Sequence, residues 1–189
     1  MKTGVRALGI AESYRSEQST LCGAVATTTG VVDSFVFETC TVGGLDATDA
    51  IIRCWETTDR EDVRYVFIAG VALAWFNIVD VDQLATAIEV PTFLLTFEES
   101  EGLDDALAAE FDGRALERRR ARYASLPART RVALPGGDCF LRVVGPSPDN
   151  PGDVVRSFTR DQGRPEPVRI ARLAARAANR WAHRQSESL

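Results

Sequence analysis

The fold is decided by VRYVFIAGVALAWFNIVDVDQLATAIEVPTFLLTF, residues 63–97. Residues 63–69 form an almost unbroken apolar run, which is typical of a parallel strand covered on both faces. Residues 80–89 predict a short helix, and residues 91–97 predict a second buried strand with Pro91 at its first position. A strand, a helix and another strand in this order indicate the β-α-β centre of an α/β sheet.

The chain before this centre predicts a strand, a hairpin and a helix. Residues 5–10 form a short apolar strand, and residues 21–27 and 31–42 predict two more strands separated by a turn at Gly30. A helix is expected over residues 46–57, where the apolar residues share the spacing of one helical face: Ala47, Ile51, Cys54 and Trp55. The β-α-β-α-β alternation that results predicts a mixed sheet flanked by helices.

The chain after the centre predicts helical pieces and a second hairpin. Helical patterning covers residues 103–125 and is interrupted by an Asp-Gly pair. Residues 130–134 and 139–145 flank the sequence PGGD, which predicts a hairpin. A loop rich in proline, glycine and aspartate follows, and then a short helix is expected over residues 153–160.

A long helix is expected to begin at residues 165–167 and to end near Arg184, because proline is well tolerated in a first helical turn. Its apolar residues predict the buried face: Ile170, Ala174, Ala177 and Trp181. Its basic residues recur at spacings of three and four, which keep side chains in one stripe: Arg169, Arg172, Arg176, Arg180 and Arg184. We therefore expect an arginine ridge along this helix.

The composition is that of a folded protein that needs no disulfide bond or structural metal ion to stabilise it. With 189 residues, 45% hydrophobic and 26% charged, the chain is expected to form one domain over residues 1–189. The longest apolar run, residues 66–79, is shorter than the roughly 20 residues that span a bilayer. The N-terminus has no recognisable leader. These features predict a cytoplasmic protein with no membrane partner.

Cysteine and histidine usage argues against a zinc site. The four cysteines are widely separated and form no CxxC pair, and His183 is the single histidine of the chain. Each cysteine lies among apolar residues, where a free thiol behaves as a small buried hydrophobe. A catalytic thiol would need a histidine partner. We therefore expect four buried, reduced cysteines.

The net charge of −5 hides a strong asymmetry between the two halves. Residues 1–113 contain 20 acidic and 6 basic residues, a net charge of −14, whereas residues 114–189 contain 7 acidic and 16 basic residues, a net charge of +9. Such asymmetry suggests a charged partner or docking of the halves against each other. Of the 22 basic residues only Lys2 is a lysine, a bias that a GC-rich genome would also produce.

Four segments of the chain resemble an archaeal family of uncharacterised proteins, domain-of-unknown-function family 99. They are RALGI with the acidic residue after it, GGLDATDAII, GVALAWFNIVD and GRPEPVRIARL. The resemblance spans essentially the whole chain. It implies an RNase H-like fold similar to that of endonuclease V, a member of a group that cuts nucleic acids with divalent metal ions.

The resemblance also implies where a metal site would lie. Such enzymes gather several carboxylates around Mg²⁺, because a hard cation prefers oxygen ligands. The family resembled has an aspartate after the first strand, an acid on the first helix and an aspartate that ends the fourth strand. Those places hold Ala11, followed by Glu12; Asp46 and Asp49; and Ala69. Because two ligand positions are alanine, we expect a catalytically degenerate protein with no metal or other cofactor.

The remaining acids have structural interpretations too. Residues 11 and 12 should point to opposite faces of a strand, so Glu12 is poorly placed to replace a ligand at position 11. Asp46 with Asp49 three residues later is close to a capping-box arrangement, and Asp80 is well placed to cap the next helix. Asn77 is expected to close its own loop through side-chain to backbone hydrogen bonds.

Three hypotheses for function follow. The preferred one is that the chain binds nucleic acid or another phosphate-bearing partner through seven arginines of the two basic helices: Arg118, Arg119, Arg122, Arg169, Arg172, Arg176 and Arg180. A solvated helix face is the structural alternative for the first three. The second hypothesis is a Mg²⁺- or Mn²⁺-dependent nuclease with a rearranged site formed by Glu12, Asp46 and Asp49. The third is an interaction protein or homodimer joined by its oppositely charged halves.

Overall fold

A seven-stranded mixed sheet forms the centre of the protein in a computed structural model that describes residues 4–160 and 163–186. Its strands, in chain order, are β1 (Arg6–Tyr14), β2 (Gln18–Thr27), β3 (Val32–Thr41), β4 (Val63–Ala69), β7 (Thr92–Thr96), β8 (Thr130–Leu134) and β9 (Gly137–Val144). The order across the sheet is β3-β2-β1-β4-β7-β9-β8. A small hairpin, β5 (Ala72–Leu73) and β6 (Asn77–Ile78), follows β4.

Helices cover both faces of this sheet. They are α1 (Ala47–Thr58), α2 (Val81–Ala87), α3 (Asp104–Glu110), α4 (Gly113–Ala124), α5 (Pro151–Ser157) and α6 (Glu166–Ser186). One core cluster contains apolar side chains of α1 and α2, and a second contains those of α5 and the start of α6. Within the described part of the chain, no helix has both the length and the apolar character that a membrane crossing requires.

The β-α-β centre expected from the sequence is confirmed. Strand β4 pairs in parallel with both β1 and β7, whereas β2 and β9 pair antiparallel with their neighbours. The two expected hairpins, β2–β3 and β8–β9, are also present. Because β1, β4 and β7 run in the same direction, their carboxyl ends meet at one edge of the sheet, where α/β proteins usually bind ligands.

Alternation along β1 separates the two layers of the core. Leu8 and Ile10 pack into the cluster that contains α1, while Ala11 packs with residues of α6. Between them Gly9 lies directly under the first turn of α6, where a Cβ atom would stand 2.1 Å from the carbonyl carbon of Pro167. No side chain fits that distance, so glycine is required for α6 to rest on β1.

The buried face of α6 differs from the one expected. Its buried line consists of Val168, Ala171, Ala175 and Asn179. Ala177 is exposed and Trp181 is 60% exposed, so the predicted face was rotated away from the true contact. The reason is packing distance. Small alanines face the small side chains of Cys22 and Ala24 on β2, and the close approach leaves no room for a tryptophan.

Two loop predictions also change. Helix α5 begins at Pro151, where a proline in the first turn is well tolerated, so it starts before the expected residue 153 and ends at Ser157. The stretch after β4, which the sequence predicts to be a loop, forms the β5–β6 hairpin.

Candidate nucleic-acid interface

The sheet is apolar where the parallel pairing of β1 with β4 ends, at Ala11 and Ala69. Ala11 is 1% exposed and packs with Ala171 and Ala175 of α6, and Ala69 lies half-buried against the same cluster. This is where the resemblance to metal-dependent nucleases places carboxylate ligands. Apolar packing between the sheet and α6 occupies the place of those ligands instead.

Glu12 points to the opposite face from Ala11, as strand alternation predicts. Its Oε2 accepts a hydrogen bond of 2.7 Å from the hydroxyl of Ser19 on β2. The side chain lines a groove with Tyr14 and Trp75, on the other side of the strand from the alanine cluster. Glu12 therefore does not replace a ligand at position 11.

Asp46 holds the end of β3 rather than capping α1. Its carboxylate accepts bonds of 3.0 and 2.8 Å from the amide and hydroxyl of Thr41 and one of 2.7 Å from Nδ2 of Asn77. The expected capping box is wrong, because the cap of α1 comes from Asn77, whose Oδ1 accepts the amide of Ala47 at 3.0 Å. Burial by itself raises the pKa of Asp46, but the bonds from Asn77 and Thr41 outweigh it and keep the pKa below its ordinary value.

The other two acids singled out in the sequence belong to the α1–α2 region. Asp49 accepts a 2.6 Å bond from Nε2 of Gln83. Asp80 caps α2 by accepting the amide of Gln83 at 3.1 Å, which confirms its predicted role. Among the described residues no three His, Cys, Asp or Glu side chains form a group that could hold a metal ion. Glu12, Asp46 and Asp49 are thus not gathered into one donor set.

The arginines of α4 differ sharply from one another. Arg119 is 5% exposed, with its guanidinium 3.8 Å above the ring of Phe111. It donates to the carbonyls of Gly43, Gly44 and Phe76, the last two at 3.1 and 3.2 Å. The Nη1 of Arg122 donates to the carbonyls of Leu45 and Ile78 at 2.9 and 3.0 Å.

Both of these residues therefore fasten α4 to the loops before α1 and α2. Because their donors are used inside the protein, we exclude Arg119 and Arg122 from the interface expected from the sequence. Arg118 lies on the exposed side of the same helix and lines none of the surfaces formed by the arginines of α6, so it too is left out of the interface we propose.

The arginines of α6 line a continuous surface, which we call the arginine groove. It comprises Arg164, Arg169, Arg172, Arg176 and Arg180, together with Tyr14 and Arg15 from the β1–β2 turn. Within it Arg169 pairs with Glu166 at 2.7 Å. Tyr14 is 41% exposed and Leu173, which lies between the arginines, is 56% exposed. The groove thus combines positive charge with exposed apolar surface.

One end of the arginine groove opens into a cavity of about 320 Å³, which we call the strand-end cleft. Its floor is formed by the carboxyl ends of β4 and β7, and Arg164 and Arg172 belong to both surfaces. Arg129 and Arg142 complete its walls. Sequence patterns could not single out these two residues or Arg164, because each is an isolated arginine in a loop or strand.

A strained loop lies on the other face of β1, next to Glu12 and Tyr14. Between β5 and β6, Ala74, Trp75 and Phe76 all have positive φ values, 40°, 62° and 56°. Non-glycine residues rarely adopt this conformation, which costs roughly 1–3 kcal/mol per residue. It leaves Trp75 47% exposed beside Tyr14, on the surface that Glu12 also lines and on the other face of β1 from α6.

Comparison with known proteins assigns the chain to a family. The model of the family described as Endonuclease dU matches residues 3–179. The chain belongs to the Endonuclease dU family. A UPF0215 protein of Pyrobaculum calidifontis is 30% identical over 182 residues, which are 95% of this chain and all of that protein. This membership confirms the family resemblance found in the sequence.

Solved structures support the fold. A protein of unknown function from Archaeoglobus fulgidus has a TM-score of 0.81 and 26% identity and covers 92% of this chain and 97% of its own. Endonuclease V of Ciona intestinalis, solved with inosine-containing DNA, has a TM-score of 0.61 and 12% identity and covers 96% of this chain and 87% of its own. The RNase H-like, endonuclease V-like fold is therefore confirmed.

Endonuclease V folds imply a divalent metal, and the residues of this Endonuclease dU family member do not fit one. A hard cation requires several oxygen donors around it. Here the strand ends contribute two alanine side chains, and the neighbouring cleft is lined by Arg142, Arg164 and Arg172. Positive side chains repel a cation and attract an anion.

Thiol chemistry is equally disfavoured. Cys22, Cys40, Cys54 and Cys139 are all buried and free, as the sequence predicts. Burial raises the pKa of each thiol to about 12. At neutral pH these residues are protonated and are neither nucleophiles nor metal ligands.

Proposed function

We propose that this member of the Endonuclease dU family binds nucleic acid through the arginine groove. The observation that carries the proposal is the positive charge of arginines in the groove that form no ion pair. Arg164, Arg172, Arg176 and Arg180 form no ion pair with any described residue, although the chain as a whole is acidic. Phosphates would neutralise these guanidiniums and release bound counterions, which drives binding at low salt.

The shape of the surface supports the same partner. The groove follows α6 from the strand-end cleft to the β1–β2 turn, so it is an extended track rather than a point. Tyr14 lines the track and is 41% exposed, and Trp75, 47% exposed, lies next to Tyr14 on the other face of β1. Aromatic side chains next to arginines suit single-stranded nucleic acid, because bases stack on the rings while the backbone follows the charges.

A protein with the same fold also supports a nucleic-acid partner. The Ciona intestinalis endonuclease V was solved with bound DNA, and the chain shares its fold. The two alanines at the strand ends favour binding without cleavage, and we regard this chain as a catalytically degenerate relative.

Fluorescence anisotropy with single- and double-stranded DNA and RNA between about 50 and 200 mM salt tests the proposal. The variant Arg176→Gln/Arg180→Gln should bind at least about tenfold more weakly and lower the log-log salt slope by about 2. The matched control is Arg114→Gln/Arg118→Gln, which removes the same charge from the exposed side of α4. An equal loss of affinity in both variants, or wild-type binding that does not weaken as salt increases, would overturn the proposal.

A metal-dependent nuclease is the second candidate, and the family's description as an endonuclease favours it. Glu12, Asp46 and Asp49 would have to leave their present partners to surround an ion. The test is incubation of DNA that contains deoxyuridine with Mg²⁺ or Mn²⁺. Cleavage that is lost in Glu12→Ala supports this candidate, whereas cleavage that survives this substitution excludes the proposed carboxylate site.

A further inference from the structure

Four guanidinium groups converge on the strand-end cleft, and one carboxylate, that of Glu98, lines it with them. The four are Arg129, Arg142, Arg164 and Arg172. They come from the loop before β8, from β9, from the loop before α6 and from α6 itself. The cleft is thus a point at which distant parts of the basic half meet.

Two of these arginines are fixed in place by neutral groups. Arg129 donates to the carbonyls of Ser100 and Glu98 at 3.1 and 3.2 Å, and its guanidinium lies 3.8 Å above the ring of Phe140. Arg142 donates to the carbonyl of Pro127. Carbonyls and rings orient a guanidinium without neutralising its charge, so the positive potential in the cleft is retained.

The other two arginines, Arg164 and Arg172, line both the cleft and the arginine groove. The guanidinium of Arg164 lies 4.3 Å above the ring of Phe97 and donates no hydrogen bond to a described residue. Burial lowers its pKa and the charge of Arg172 lowers it further, while the carboxylate of Glu98 acts in the opposite direction without cancelling them. Burial lowers the pKa of Arg142 in the same way. Partly desolvated like charges are unfavourable side by side, and a bound anion would relieve that repulsion.

The cleft also has an apolar floor of limited size. Ala69, Val71 and Leu95 form it, and Leu103 closes one side. A volume of about 320 Å³ is at the lower end of the range for small-molecule sites, which is enough for one nucleotide and too little for a strand. The apolar floor suits the base of a nucleotide, and the basic walls suit its phosphate.

We propose that the strand-end cleft binds the phosphate monoester of a single nucleotide, either free or at the end of a nucleic-acid strand. The strand-end form rests on the proposed function of the arginine groove, and the free-nucleotide form does not. A monoester suits the site better than a diester, because it carries about −1.5 to −2 charges at neutral pH. Planar guanidiniums bind such a group through paired hydrogen bonds.

Thermal unfolding in a phosphate-free buffer tests the site. AMP at saturating concentration should raise the Tm of the wild-type protein by about 5 °C, inorganic phosphate should raise it less, and adenosine should leave it unchanged. In Arg164→Gln/Arg172→Gln the AMP shift should fall by at least half. Without ligand this variant should melt no lower than the wild type, because it loses a repulsion. Arg114→Gln/Arg118→Gln is the charge-matched control and should keep the full AMP shift.

Short oligonucleotides with a 5′-phosphate, a 3′-phosphate or hydroxyl ends separate the two sources of the phosphate. Tighter binding of one phosphorylated end, abolished in Arg164→Gln/Arg172→Gln, assigns the cleft to a strand end. An AMP shift without end preference assigns it to free nucleotides. Equal shifts from AMP and adenosine, or an AMP shift that the cleft variant retains, would overturn the inference. If the protein shows no salt-dependent DNA binding but AMP still raises its Tm, the proposed function of the arginine groove is wrong and the inference for the strand-end cleft stands.

Discussion

At the scale of single residues, positions with little or no side chain determine the packing of α6 and the chemistry of the strand ends. The missing Cβ of Gly9 lets α6 rest on β1, and the alanines at positions 11 and 69 leave the strand ends without carboxylates. Asn77, by contrast, uses its whole amide: it caps α1 and binds both Asp46 and the carbonyl of Thr41. One buried amide therefore joins β3, α1 and β6.

Substitution of Asp46 tests this junction. Asp46→Asn should lower the free energy of unfolding by about 1 kcal/mol at pH 7, because donors of Thr41 and Asn77 lose a charged acceptor. The lowered pKa of Asp46 means that its stabilisation is present above the unfolded-state value of about 3.9 and disappears as the pH falls through the folded-state value. The difference between the two proteins should therefore be constant above about pH 5 and shrink below about pH 4.

Urea unfolding across this pH range measures the effect. Asp49→Asn is the control on the same helix, since Asp49 is exposed and accepts a single bond from Gln83. It should change the free energy by no more than about 0.5 kcal/mol. A pH-independent loss in Asp46→Asn would contradict a role for the charge.

At the scale of elements, α4 shows that neighbouring residues of one type can have unrelated roles. Arg118 faces solvent, while Arg119 reaches across to the loop between β3 and α1 and to the strained loop between β5 and β6. Its removal would leave the carbonyls of Gly43, Gly44 and Phe76 without the donor that they share. The basic face of α4 is thus partly a structural clamp.

Alanine substitutions of the two neighbours should separate these roles. Arg119→Ala is expected to lower the free energy of unfolding by about 3 kcal/mol, since it leaves the carbonyls of Gly44 and Phe76 unsatisfied. Arg118→Ala should stay within about 0.5 kcal/mol of the wild type. Chemical denaturation measures both, and equal effects would contradict the clamp.

At the scale of the whole molecule, the opposite charges of the two halves do not neutralise each other. Of the ten ion pairs between described residues, the two that join residues 1–113 to residues 114–189 are Arg120 with Asp104 and Arg122 with Asp80. The arginines of the cleft and most of those in the arginine groove form no ion pair with a described acid of the first half. The carboxyl ends of β4 and β7 are therefore lined by four arginines, Arg129, Arg142, Arg164 and Arg172.

Restoring carboxylates at the strand ends should not restore a metal site. In Ala11→Asp the new carboxyl would be buried against Ala171 and Ala175 without a partner, so the variant should lose several kcal/mol of stability. Ala69→Asp is the control. It faces the arginines of the cleft, should be tolerated, and should weaken the AMP shift by filling the positive site. Calorimetric titration of the double variant with Mn²⁺ should show no stoichiometric uptake, and tight uptake would contradict the apolar character assigned to this edge.

The resemblance of four segments indicated the family, and patterns in the sequence predicted the β-α-β centre, the two hairpins and the split between α3 and α4. These are local properties, because alternation, helical spacing, glycine and proline act within a few residues of each other. Only the tertiary structure decided which arginines are free. Arg119 and Arg122 are consumed by carbonyls far away in the chain, whereas Arg129, Arg142 and Arg164 meet in one cleft from three separate segments. Burial and pairing depend on which segments the fold brings together, and no local pattern carries that information.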